Sequence, residues 1–321
     1  MKDIAVLAFK NATPAYITDS VYFFEKANDY LIKNGKQALF GVNVIGFTNE
    51  VKINGGRYII KADTTFDKAN YPDLIIIPAL TGHAVSATYL NKDCATWIAE
   101  AYKNGSEVAS LCTGAFLLAF SGILEGKECT THWEYANEFR YFYPSVHLID
   151  ERLVTDHEGL YSSGGNNAYW NLLLHLMEKY TSRELVVKLA KFFVIDIDKS
   201  NQSVFLVFHG HKDHPDKIIL KSQEFIEKNF SNKLTVDEIA EKFHLTKRTF
   251  ERRFKNATRN TVAEYIQKVK MEAAKKQLEV GRKSINEVMY NVGYSDVQAF
   301  REVFKKITGM TPVDYRNKYK G

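Results

Sequence analysis

Apolar residues recur at three- and four-residue steps through the last third of the chain, but fall in short unbroken runs through the first two thirds. The two parts therefore predict different architectures. In LTVDEIAEKFHLTKRTFERRF, Val236, Ile239, Ala240 and Phe243 mark one amphipathic helix, and Phe250 with Phe254 give a second helix its buried stripe. Between them lie a tight turn through His244 and Leu245 and then Thr246, whose hydroxyl can cap the second helix. SINEVMYNVGYSDVQAFREVF repeats the plan with Ile285, Val288, Met289 and Val292, a turn at Gly293, Ser295 as the expected cap, and Phe300 with Phe304. Each half is a helix-turn-helix pattern. From Thr261 to Val280 there is neither Pro nor Gly, so the segment joining the two units reads as a stiff helical spacer.

The earlier part alternates buried strands with helices. IAVLAF, ALFGVNVIGF, DLIIIPAL and EVASLC read as strands, and Ser20 to Lys33 and Asp93 to Lys103 as helices between them. Short apolar runs alternating with amphipathic helices imply an α/β domain, a doubly wound parallel sheet with its ligand crevice at the carboxyl ends of the strands. The expected division is an α/β domain over 1–185, a connector over 186–215 and an all-α double helix-turn-helix domain over 216–321. The stretch from Thr181 to Ser203 is first helical and then polar, and the apolar face of LVVKLAKFFVI can dock on the first domain or pair with its copy in a homodimer.

Charge separates the same two parts. The formal net charge is +5, but residues 216–321 hold 23 Lys and Arg against 14 Asp and Glu, while residues 1–215 hold 20 against 24. Positive charge gathers where the paired helices lie, as counterion release from double-stranded DNA requires. A solvated basic face on a helical interaction bundle is the alternative. Three cysteines without paired spacing suggest no disulfide framework, and neither a membrane-length apolar run nor a secretory leader is evident. A reducing cytoplasm is the expected home, with no membrane partner and no cofactor implied. His209, His211 and His214 in FHGHKDHPD lack a cysteine partner and helical ligand spacing, so they read as a solvated linker and no metal site is assigned. Gly164-Gly165 reads as a turn, and Lys275-Lys276 and Arg282-Lys283 as contacts to phosphate or water.

The 100° step of a helix sets the DNA-facing residues once the Phe stripes are taken as buried. Arg248 and Arg252 fall opposite Phe250 and Phe254, with Lys247, Thr249, Lys255 and Asn256 alongside. An Arg fork can pair with guanine or clamp phosphate. The second unit exposes Ser295, Gln298, Ala299 and Glu302, flanked by Lys305 and Lys306. Glu302 takes the place that Arg252 holds in the first unit, so it either accepts from cytosine or weakens this half by repelling phosphate.

These residues carry a family resemblance. Leu234 to Tyr319 resembles the DNA-binding domain of the AraC/XylS transcriptional regulators, down to FREVFKKITGMTPVDYR, in which Gly309, Thr311, Pro312 and Arg316 match the closing signature. The first unit departs from the pattern, with Arg259 and Val262 in place of the Gly and Pro, and Met289 fills a position that is usually small. Further back, EVASLCTGAFLLAFSGILEGKECTTHW is similar to the elbow of the PfpI-like branch of the class I glutamine amidotransferase-like superfamily. GLYSSGGNNAYWNLLLHLMEKY is similar to the segment that closes that family's sheet. The resemblance implies a flavodoxin-like sheet and, with the C-terminal part, a regulator of transcription.

At the elbow a strand ends at Cys112, Gly114 permits a close turn, and a helix from Ala115 to Ser121 begins at once. A thiol at a helix N-terminus is expected to favour the thiolate. By the resemblance, Cys112 matches the nucleophile of the family's enzymes and His132 a histidine near it. The same alignment puts Tyr22 where active members hold a carboxylate, and Thr113 where protease-like members hold a histidine. A hydrolase needs thiolate, oriented base and oxyanion site together. The expectation is therefore no enzyme but an effector pocket of Tyr22, His83, Cys112, Thr113 and His132, with Cys112 oxidation or alkylation as a second possible signal. A small molecule is the expected switch; a cysteine-dependent amidase or deglycase-like hydrolase with a DNA-binding domain is the alternative function.

Overall fold

A computed structural model of the chain describes residues 1–197 and 202–320. The chain divides into two compact units, Met1–Gln202 and Ser203–Gly321.

The first unit is built on strands β1 (Lys2–Ala8), β2 (Phe40–Gly46), β3 (Glu50–Ile53), β4 (Tyr58–Lys61), β5 (Thr64–Thr65), β6 (Leu74–Ile77), β7 (Glu107–Ser110), β8 (Glu128–Cys129), β9 (His147–Leu148), β10 (Val154–His157) and β11 (Leu160–Ser163). Seven of them form one sheet in the order β10-β11-β7-β6-β1-β2-β5. Every pairing in it is parallel except β10 with β11, which caps one edge. Five consecutive residues of β1 and all four of β6 are buried, which is why those stretches read as unbroken apolar runs. Helices α1 (Pro14–Lys33), α6 (Ala168–Tyr180) and α7 (Arg183–Phe193) form one packed group, and α2 (Ala84–Leu90), α3 (Lys92–Lys103) and α4 (Ala115–Phe120) another; α5 (Ala136–Phe142) completes the unit.

Two boundaries differ from expectation. Helix α1 starts at Pro14 rather than Ser20, because a proline in the first turn has no hydrogen bond to lose and its φ suits the helix. Helix α7 is part of the first core rather than a connector: Leu185, Val186, Leu189 and Ala190 are buried in it. Residues 198–201 of the expected connector lie outside the described residues.

The second unit holds α8 (Lys217–Asn229), α9 (Val236–Lys242), α10 (Lys247–Thr258), α11 (Val262–Val280), α12 (Ile285–Asn291), α13 (Val297–Thr308) and α14 (Pro312–Tyr319). It has two apolar clusters, one containing Phe250, Phe254 and Tyr265, the other Phe300, Phe304 and Tyr315. The internal repeat extends to the caps. Thr235 and Ser284 open α9 and α12 with capping boxes to Glu238 and Glu287. Thr258 and Thr308 each donate to the carbonyl of the preceding Phe, at 2.8 Å. The second turn is one residue longer than the first, so the cap of α13 is Asp296, which accepts from Ala299 N–H at 2.6 Å, and not Ser295.

The stretch around the three histidines is not a solvated linker. Phe208 packs edge-on against Tyr265 at 5.0 Å, its N–H donates to Glu272 at 3.1 Å, and the His211 carbonyl accepts from Gln223 at 2.8 Å. Lys275 is likewise withdrawn from solvent: it is 5% exposed, pairs with Glu272 at 2.9 Å and donates to the Leu206 carbonyl.

Arg259 ends α10 at φ 59°, where the second unit has Gly309 at φ 75°. An L side chain there is strained by about 1 kcal/mol or more. Arg259→Gly is expected to raise the stability of the second unit by about 1 kcal/mol in urea unfolding; a lower midpoint would show that the Arg259 side chain contributes more than the strain costs.

Candidate functional site

Two places carry the chemistry, one in each unit. In the first, β7 runs into a 3-10 turn, Cys112–Gly114, that leads into α4. Cys112 has φ 56°, a conformation that a non-glycine residue holds only when its surroundings impose it. They do so from three sides. Ser163 Oγ accepts the Cys112 N–H at 3.1 Å, and Thr131 Oγ1 donates to the Cys112 carbonyl at 3.0 Å. Gly114 lets the turn press on the end of β6, since a Cβ there would lie 2.7 Å from the Pro78 carbonyl oxygen.

Around the sulfur the structure assembles a set that only partly overlaps the one expected, with Thr113 kept and Tyr16 and Asn166 added. Tyr16, in the first turn of α1, brings its hydroxyl within hydrogen-bonding reach of the Cys112 thiol and donates to Asn166 Oδ1 at 3.0 Å. The backbone amides of Asn166 and Thr113 lie beside the sulfur as well. Tyr22 is elsewhere. It is 47% exposed and stacks edge-on against Phe193 at 5.6 Å. Starting α1 at Pro14 puts Tyr16 at the crevice, and six residues further on the helix has turned by about 240°, carrying Tyr22 away. The Thr13-Pro14 pair was the signal that could have located Tyr16.

Thr113 is buried beside Cys112 with its side chain next to the thiol, and Oγ1 also accepts from Leu80 N–H at 2.9 Å and donates to the Leu80 carbonyl at 3.0 Å. It fastens the loop after β6 to the elbow. His83 lies on that loop with its side chain exposed, accepting Ser86 N–H through Nδ1 and approaching Glu138 at 3.4 Å. His132 caps a short turn, with Nδ1 accepting from Glu134 N–H at 3.2 Å and Nε2 against Gly165. Among the described residues no hydrogen bond joins His132 to Cys112. Burial lowers the His132 pKa, so the ring is neutral near neutral pH.

The expected thiolate is also corrected. Burial raises the Cys112 pKa, and the Tyr16 hydroxyl and the Thr113 and Asn166 amides beside the thiol only partly oppose it. Helix α4 has six residues and begins only after the 3-10 turn, too short and displaced a dipole to reverse this. Alkylation of Cys112 by iodoacetamide is therefore expected to be at least about tenfold slower at neutral pH than that of an ordinary exposed thiol, and to rise with pH beyond the usual thiol range. An inflection below neutral pH would overturn this account.

In the second unit the helices that follow the turns, α10 and α13, bury their Phe pairs and expose the other side. Arg248, Arg252, Lys255 and Asn256 are exposed, with Thr249 half-buried. Lys247 is exposed too, but its ammonium pairs with Asp237 at 2.8 Å. On α13 and just before it, Ser295, Gln298, Glu302, Lys305 and Lys306 are exposed and Ala299 is half-buried. Gln298 donates to Glu302 at 2.9 Å. Arg301, unassigned from the sequence, is exposed next to them.

The sequence profile of the DJ-1/PfpI family matches residues 19–179, half of the chain. The chain belongs to the DJ-1/PfpI family. A helix-turn-helix domain profile matches residues 239–318, so this member joins that α/β unit to a helix-turn-helix unit. The HTH-type transcriptional regulator GbdR of Pseudomonas aeruginosa is 26% identical over 265 residues, covering 80% of this chain and 69% of that protein. The bifunctional transcriptional activator/DNA repair enzyme AdaA of Bacillus subtilis is 40% identical over 93 residues, 29% of this chain and 44% of its own. Drosophila melanogaster DJ-1beta superposes with a TM-score of 0.50 at 18% identity, covering 61% of this chain and 98% of that one, a likeness of fold.

Proposed function

We propose that this DJ-1/PfpI-family chain is a sequence-specific DNA-binding regulator of transcription whose α/β unit senses a small molecule or a thiol modification at the Cys112 crevice. The observation that carries the first half is the repeat itself: α10 and α13 each follow a capped short helix and a tight turn, stand at either end of the spacer α11, and expose polar faces, that of α10 carrying Arg248 and Arg252. Paired reading helices suit two half-sites about one helical turn apart. GbdR, similar across both units, is a transcriptional regulator, and the same role is proposed here. A homodimer in the cytoplasm, with double-stranded DNA as partner, completes the reading.

For the crevice the geometry supports binding over turnover. A cysteine hydrolase needs a base oriented on the thiol. Here His132 Nδ1 is occupied as a cap, and the group on α1 facing the sulfur is the phenol of Tyr16, whose pKa burial pushes further up. What remains is a recessed thiol with hydroxyl and amide donors around it, suited to an effector with an acceptor group.

Selection of bound sequences from random duplexes by the full-length protein, at two salt concentrations, tests the DNA reading. Enrichment of two short motifs about one helical turn apart is expected. Binding without enrichment that vanishes at the higher salt would leave only non-specific attraction.

A further inference from the structure

The last described residue of the first unit is Gln202, and its side chain is turned inward. It is 1% exposed, and its amide is satisfied on both sides. Oε1 accepts Gly165 N–H at 2.8 Å, and Nε2 donates to the Thr131 carbonyl at 3.0 Å and the Asp150 carbonyl at 2.7 Å. Its backbone N–H donates to Glu151 at 2.7 Å. Gly164 makes room for it: a Cβ there would lie 2.5 Å from Gln202 Oε1, although the Gly164 backbone has no left-handed φ to require glycine.

Of the three loops that Gln202 ties, at Thr131, Asp150 and Gly165, two also hold Cys112. Thr131, whose carbonyl it binds, donates its hydroxyl to the Cys112 carbonyl. Gly165, whose N–H it accepts, precedes Asn166, whose Oδ1 accepts at 3.0 Å from the Tyr16 hydroxyl that lies beside the thiol. A buried primary amide with three partners on three loops is costly to leave half-satisfied, so the loops and the amide move together or not at all. The chain passes from Gln202 directly into Ser203, where the second unit begins.

We propose that Gln202 is a positioning residue for the Cys112 crevice and the latch by which occupancy of that crevice is passed to the interdomain chain. A group bound at Cys112 that displaces Asn166 pulls Gly165 from Oε1, and Gln202 leaves its site. This deepens the sensing role proposed above and rests on it.

Iodoacetamide on the full-length protein is the probe: the thiolate sulfur forms the new bond to carbon, iodide leaves, and the thiol proton goes to solvent. In the wild type, alkylation of Cys112, driven to completion at alkaline pH and verified by peptide mass, is expected to speed hydrogen exchange over Gln202–Phe208 at least tenfold. Gln202→Glu keeps the shape but cannot make both donations; it is expected to raise the rate of Cys112 alkylation at least tenfold and to show fast exchange already, with alkylation adding nothing. Gly164→Ala, which drives out the side chain without altering it, is expected to do the same. It keeps the test open if the glutamate variant misfolds by circular dichroism. Unchanged exchange after alkylation, or alkylation rates equal to wild type in a folded variant, overturns the latch. No readout here uses DNA, so failure of the latch and failure of operator selection are told apart.

Discussion

Phe304→Ala lowers the stability of the second unit by about 3–5 kcal/mol. The ring is fully buried, 5.8 Å from Phe300 and 5.5 Å from Tyr315, in a cluster that α11, α12, α13 and α14 share. Truncation removes apolar contact and leaves a cavity that helices tied by tight turns can close only in part. Domains of this size are stable by about 5–15 kcal/mol, so the loss takes much of the margin. The check is urea unfolding of the full-length protein with probes in each unit: the second unit's transition moves to lower urea while the first unit's stays. Phe254→Ala strikes the equivalent place in the other cluster and should cost a similar amount. A loss under about 1 kcal/mol for both would mean that the two clusters do not hold the helices together.

Arg252→Ala weakens operator binding by about 1–3 kcal/mol, roughly tenfold to a hundredfold, if its fork reads a base. Glu302→Ala, at the matching position of α13, leaves binding equal or tighter if that carboxylate only repels phosphate. The repeat makes the pair a controlled comparison. Arg252 lies two residues after Phe250 and Glu302 two after Phe300, both on exposed faces. Glu302 already accepts from Gln298, which holds it on that face. Anisotropy titrations of the selected operator at two salt concentrations separate a base contact from a phosphate contact, since only the latter reduces the salt slope. Unchanged affinity for both variants would place the DNA-reading face elsewhere.

Local patterns were legible because each depends on neighbours three or four residues away. The buried stripes of α10 and α13, the spacer α11 and the elbow at Cys112 all lie where periodicity and a single glycine put them. The cap of α13 was missed by one residue because Ser295 and Asp296 are both good caps. Only the length of the turn chooses between them: Tyr294 N–H returns to the Met289 carbonyl at 3.1 Å just as Leu245 N–H returns to Ala240 at 2.9 Å, and the second unit spends one more residue, Ser295, before its cap. The start of α1 was missed by six residues, and the family alignment that chose Tyr22 passed over Tyr16 in the turn that this start adds.

By itself the sequence determined the two kinds of layer and the two helix-turn-helix units, since hydrophobic periodicity is a local property that any packed chain must satisfy. It also placed Cys112 on a strand-to-helix elbow and Arg248 and Arg252 on an exposed face. The tertiary structure alone decided what surrounds the thiol: Tyr16 lies 96 positions before Cys112 in the chain, Asn166 54 after and Gln202 90 after. Their meeting follows from the parallel order of β1, β6, β7 and β11 and the burial it enforces. The same burial sets the protonation of Cys112, because desolvation is a sum over the whole fold and no neighbouring residue type announces it.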